Sequence, residues 1–227
     1  MAERLHAAIP LAACLVVGSS AFGQHEGVAA TVHNLSVTGP GEFRATSETQ
    51  ICKFCHIPHN AVVPEQLWGR RLPDSVYELP AGRRDASVRT RATQPDGSSR
   101  MCLSCHDGTI ALGEVAREPR EIRMAGSQRL GPGHRGFLGT DLTGSHAISF
   151  VVPDGDPVDV EPGRDMGLKP LSSIEADGDV KLDGQGKMQC TTCHDPHSDV
   201  NFVEGEVPRF WVKSSVSEVC FTCHDLR

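Results

Sequence analysis

The pattern Cys-x-x-Cys-His returns four times in this chain, as CKFCH at 52–56, CLSCH at 102–106, CTTCH at 190–194 and CFTCH at 220–224. Of nine cysteines, eight lie inside these pentapeptides, and the ninth, Cys14, sits in an N-terminal apolar run. With its cysteines spent in one spacing, the chain has none left for a disulfide framework. Two thiols three positions apart on a helical turn project to one side, and the histidine after the second places an imidazole beneath them. A redox dithiol needs no adjacent histidine, and zinc ribbons are mostly intracellular. Covalent attachment of a c-type haem uses every part: the thiols add to the two vinyl groups on one porphyrin edge, and the histidine ligates the iron proximally. The expected cofactor is haem c in four covalently attached copies. Cys52 and Cys55, Cys102 and Cys105, Cys190 and Cys193, and Cys220 and Cys223 attach them. His56, His106, His194 and His224 are the expected proximal ligands.

Composition agrees that side chains alone build a thin core. Over 227 residues only 5% are aromatic, with one tyrosine (Tyr77) and two tryptophans (Trp68, Trp211). Four haems would supply the missing apolar interior, and folding would be coupled to their attachment.

Each iron has a sixth position. Two motifs run on as CHIPH and CHDPH, placing His59 three residues after His56 and His197 three after His194. Neither can wrap round to the far face of its own porphyrin, but each can reach a neighbouring haem, since Pro58 and Pro196 stiffen the link and turn the chain. His33 and His146 sit among apolar, β-prone residues, unlike His25 in a polar stretch. His134 lies in a glycine-rich turn. The expected distal ligands are His33, His59, His146 and His197. Met101, Met124, Met166 and Met188 read as packing residues.

The motifs also pair. CxxCHxPH comes first and CxxCHD second, with a tryptophan between, once over 52–107 and again over 190–225. This is the signature of a duplicated two-haem module. The expected layout is a signal peptide over 1–23, a first two-haem module over 24–115, a Gly/Pro-rich connection over 116–180 and a second module over 181–227. The fold class expected is mostly irregular, small α + β, wrapped on haem, with short helices at the CxxCH motifs and a few short strands. Among them are a strand over HAISFVV (146–152) and a hairpin turning at Asp183-Gly184 before the third motif.

The N-terminus, MAERLHAAIPLAACLVVGSSAFGQ, reads as an export signal too short to span a membrane. Leu11-Ala12-Ala13-Cys14 is lipobox-like, but the apolar run continues past Cys14. The net charge of −7 and the lack of basic runs interleaved with aromatics exclude nucleic-acid binding. An acidic loop at 153–165 carries Asp154, Asp156, Asp159 and Glu161 without EF-hand spacing. Seven arginines in 70–100 suit haem propionates, an acidic partner or a solvated loop.

The phrases HNLSVTGPGEFRATSETQICKFCHIPHN, RMCLSCHDGTIALG and CTTCHDPH resemble the doubled-CxxCH family of multihaem c-type cytochromes, especially tetrahaem members from bacteria that respire metals or other external acceptors. The resemblance implies a haem-wrapped fold, bis-histidine irons with His33, His59, His146 and His197 as distal ligands, and electron transfer. The partners expected are redox proteins or an external acceptor, in the periplasm or at the cell surface. Three functions stay open: an electron carrier, a self-assembling subunit of an extracellular haem filament, and a multihaem reductase with one open iron. Since all four motifs end in histidine and further histidines are to hand, the sequence favours the carrier over an enzyme.

Overall fold

With 23 glycines and 15 prolines, the chain rarely sustains regular structure, and its elements are correspondingly short. The computed structural model describes residues 27–57, 59–63, 66–80, 93–116, 118–154 and 167–225. The expected signal segment, Cys14, His25, Met166, most of the acidic loop and Arg83, Arg84, Arg89 and Arg91 lie outside the described residues.

Each CxxCH motif carries a helical element. The first is a single 3-10 turn, Cys52–Phe54. The second closes α1 (Gly97–His106), the third is the one-turn α3 (Cys190–Cys193), and the fourth ends α4 (Val216–Cys223). Helix α4 is long enough to need a cap, and the Ser215 hydroxyl accepts from the Glu218 N–H. In the connecting region the described helix is α2 (Leu171–Glu175), in keeping with the glycine and proline content.

Among the described residues six two-residue strands pair into three separate antiparallel ribbons: β1 (Arg44–Ala45) with β2 (Met124–Ala125), β3 (Phe150–Val151) with β5 (Lys187–Met188), and β4 (Gly167–Leu168) with β6 (His224–Asp225). Two expectations are corrected here. The strand expected over 146–152 contracts to Phe150–Val151, because Ser149 adopts a positive φ of 61° that breaks the extended run. The turn at Asp183-Gly184 forms, with the Asp183 N–H donating to Lys187 O (3.0 Å). The strand that follows it pairs not with the residues before the turn but with β3, Phe150 opposite Met188. That pairing lets Met188 and Phe150 join Val152, Ile174 and Val180 in one apolar cluster.

The side-chain core is divided. One cluster gathers Val152, Ile174, Val180, Met188, Val219 and Cys223, a second Ala45, Phe54, Leu112, Met124 and Leu130, and a third Tyr77, Leu103 and Leu142. Cysteines of the motifs border the first two, so the apolar surface of an attached porphyrin would continue them. A polar hub joins the halves. Buried Gln189, just before the third motif, accepts from Ser99 Oγ (2.6 Å) and donates to Asp96 and Asp183. The Cys190 N–H donates to Ser99 Oγ (2.9 Å), which seats α3 on α1. Among the described residues no helix is long and apolar enough to cross a membrane.

Candidate haem sites

The first motif of each pair is held by the same local device. The His56 Nδ1 lies 2.6 Å from Gln66 O, and the His194 Nδ1 lies 3.0 Å from Arg209 O. In each case the accepting residue stands two before a tryptophan, and the residue between has a positive φ, 51° at Leu67 and 63° at Phe210. That left-handed residue reverses the chain so that the tryptophan bridges back to the histidine, His56 to Trp68 and His194 to Trp211. The indole then meets the imidazole edge-on, at 5.9 Å for Trp68 and 5.0 Å for Trp211. Backbone bonds repeat too: Ile57 N–H to Leu67 O (2.8 Å) and Asp195 N–H to Phe210 O (2.7 Å).

A ring nitrogen that faces a carbonyl must carry the proton, which leaves the other nitrogen as a lone-pair donor. This applies to His56 and His194, and equally to His106 (Nδ1 to Gly136 O, 2.6 Å), His33 (to Pro196 O, 3.1 Å) and His146 (to Ala147 O, 2.8 Å). The His197 Nδ1 faces the Asp195 carboxylate at 3.4 Å. In these six histidines Nε2 is the nitrogen available to a metal. Burial, reinforced by neighbouring His106, pushes His33 down to about 4, so its ring stays neutral. Burial also lowers His106 and His194.

Three of the expected proximal histidines face an expected distal one. His56 and His197 lie 6.0 Å apart with planes 18° from parallel; His106 and His33 lie 6.0 Å apart at 68°; His224 and His146 lie 6.3 Å apart at 61°. Two metal–nitrogen bonds of ~2 Å, plus ~1 Å from each nitrogen to its ring centre, put two imidazoles on one metal about 6 Å apart centre to centre. The facing rings therefore fit a shared iron. Trp68 Nε1, beside His56, is buried without a hydrogen-bond partner among the described residues, leaving a donor for a further group. His194 has no such second imidazole among the described residues. His59 is exposed and makes no ring contact, hydrogen bond or ion pair among them.

The thiols come together along the chain order. Neighbouring Cys190 raises Cys102, and Cys102, with Ser99 assisting, lowers Cys190. Burial first, then the neighbouring Cys105, pushes Cys55 up to about 12, and Cys193 is pushed to about 12 by burial and Cys223. The second motif thus adjoins both the first and the third, and the third adjoins the fourth.

Residues 184–226 match the doubled CXXCH motif family. The match spans both motifs of the second pair, and the CXXCH motifs point to covalently bound haem c and to a multihaem cytochrome in electron transfer. No curated protein matches the chain.

The sequence singled out every histidine in these pairs, the proximal ones and His197 by spacing, and His33 and His146 by their apolar, β-prone surroundings. It left open which faces which. His197, in the second half, turns towards His56 in the first. His33 stacks on Phe210 at 4.1 Å and touches Pro196, both in the second half, while facing His106 in the first. The methionines Met101, Met124 and Met188 are buried in packing positions. His134 accepts from the Gly136 N–H and meets Phe43 edge-on. The described arginines of 70–100 go to protein groups: Arg71 to Glu114 and Asp74, Arg100 to Pro73 O, and Arg70 into a buried carbonyl nest.

Proposed function

We propose that this protein is an exported tetrahaem c-type cytochrome that carries electrons through four closely spaced, low-potential haems, each iron held by two histidines. The observation that carries this reading is the set of facing imidazoles 6.0–6.3 Å apart, with Nδ1 of His33, His56, His106, His146 and His197 secured by an acceptor. The assignment is His56 with His197, His106 with His33, His224 with His146, and His194 with His59, the remaining candidate.

Haem supplies a one-electron change at iron. The chain supplies eight cysteines to fix the porphyrins, carbonyls that hold the imidazoles as neutral Nε2 ligands, and contacts between motifs that bring the haem edges together. With both axial positions taken by histidine, no iron is open to a substrate, so the protein is a carrier and not an enzyme. Bis-histidine ligation also lacks the potential-raising effect of methionine. The partners are redox proteins or an external acceptor, in the periplasm or at the cell surface.

A second reading is supported by His59. This exposed histidine could serve the third haem of its own chain or that of another copy, and the latter would build a filament. Intact mass, haemochrome quantitation and low-temperature paramagnetic resonance test both readings. Four attached haems with low-spin signals are expected. A high-spin iron that persists in a monomer and is unaffected by His59→Ala would overturn the assignment of His59. A loss of large assemblies on His59→Ala would favour the filament.

A further inference from the structure

The cation two residues after each repeated tryptophan is treated in opposite ways. Arg70 follows Trp68 and is fully buried, 0% exposed. Its Nε donates to Ser104 Oγ (3.3 Å), Nη1 to Leu112 O (2.8 Å) and Phe54 O (3.5 Å), and Nη2 to Ala111 O (2.8 Å) and Ser104 O (3.3 Å). A guanidinium has five N–H donors. All five are committed to carbonyls and a hydroxyl, none meets a carboxylate, and none remains for a propionate. Lys213 follows Trp211 and is neutralised by Asp177 (2.9 Å) and Asp179 (3.5 Å).

The contrast continues at the haem attachments. Ser104 lies between Cys102 and Cys105, and Thr222 occupies the same place between Cys220 and Cys223. The Ser104 hydroxyl is bound to the Arg70 cation, whereas the Thr222 hydroxyl donates to the Asp177 carboxylate (3.2 Å). An uncompensated buried cation therefore stands between the first and second attachments, and a carboxylate stands beside the fourth.

We infer that Arg70 raises the reduction potentials of the first two haems above that of the fourth, so that electrons shared within the molecule settle on the first pair. This rests on the proposed tetrahaem reading. The step is one electron passing from a ferrous iron of the second half to a ferric iron of the first. One is oxidised and the other reduced, and no proton or bond is exchanged. The seating of α3 on α1, where the Cys190 N–H donates to Ser99 Oγ (2.9 Å), gives the crossing point between halves. A unit charge about 10 Å from a redox centre, at an effective dielectric near 20, changes its reduced-to-oxidised ratio about tenfold. The carbonyl dipoles around Arg70 offset part of this but carry no net charge.

The test is a potentiometric titration of the haem-loaded protein, with each haem followed through its methyl resonances in paramagnetic NMR. Arg70→Met is expected to lower the first two haems by about tenfold in reduced-to-oxidised ratio at fixed potential, about 59 mV for a one-electron couple. Arg70→Lys, which keeps the charge but loses the fork, should leave them near the parent values. Asp177→Asn should shift the fourth haem upward. The inference is overturned if Arg70→Met leaves the first pair unmoved, or if Arg70→Lys shifts it as far. Should Arg70→Met yield no loaded protein, the parent titration decides, and a fourth haem that titrates at or above the first two sinks the inference. Haemochrome quantitation on the parent separates these results from failure of the tetrahaem reading, which would show as fewer than four haems.

Discussion

Gln66-Leu67-Trp68 and Arg209-Phe210-Trp211 bend the backbone the same way around His56 and His194, but they lie in different surroundings. Leu67 is 48% exposed, while Phe210 is 7% exposed and stacked on His33. One repeat carries its left-handed residue on the surface, and the other has made it a packing element between the halves. The device that orients the motif histidine is therefore the same in both stretches, and the contacts between them give each its own energetic role.

The largest effect that could break this comparison comes from the histidine that crosses it. His197→Ala should convert the haem at Cys52 and Cys55 from low-spin to high-spin, a complete change at one of four irons, read by paramagnetic resonance. The corresponding change at His59 should affect the third haem instead. An unchanged spectrum in His197→Ala would separate the halves.

Phe210→Gly should be the costliest packing change. It relieves ~1–2 kcal/mol of left-handed strain but removes a buried aromatic ring, for a net loss of about 2–4 kcal/mol in denaturant unfolding of the loaded protein. Gln189→Ala should cost about 2 kcal/mol, because it leaves the buried Ser99 hydroxyl without its acceptor and strips the α1–α3 junction. Leu67→Gly should stay within about 1 kcal/mol of the parent, since strain relief and glycine's chain entropy nearly cancel at an exposed site. A loss at Leu67 as large as that at Phe210 would show that the two turns are buried alike.

The smallest effect is electrostatic. Burial works to raise Asp177, but hydrogen bonds from Lys213 and from the Val180 and Asp179 N–H groups outweigh it and hold the carboxyl well below its ordinary 3.8. A depressed carboxyl stabilises the fold above its unfolded pKa, and that contribution is lost as pH falls through the folded value. The stability difference between the parent and Asp177→Asn should therefore be constant above pH ~5 and shrink below pH ~4.

Several features were legible because they depend on neighbours in the chain. The helical element at each motif follows from thiols that must share one turn, and the irregular connections follow from glycine and proline. The paired tryptophans at 68 and 211 were visible as a repeat, but their edge-on contact with the proximal rings was not, since it needs the positive φ at Leu67 and Phe210. The hairpin at Asp183-Gly184 was half right: turn residues fix the turn, whereas burial of Met188 against Phe150 chose the strand's partner. Arg70 was one of seven arginines in a stretch that suited propionates, an acidic partner or a solvated loop alike. The only signal for it was a basic residue two positions after each tryptophan.

By itself the sequence determined the attachment chemistry, because a CxxCH motif places its two thiols and imidazole within five covalently linked residues. It also determined the pool of histidines available as second ligands. Tertiary structure decided which rings face one another, as with His33 held by Pro196, 163 positions away. It also decided that one buried cation stands without a carboxylate while its counterpart is neutralised. Such pairings depend on closing long loops and on what else is buried beside them, and no local spacing encodes either.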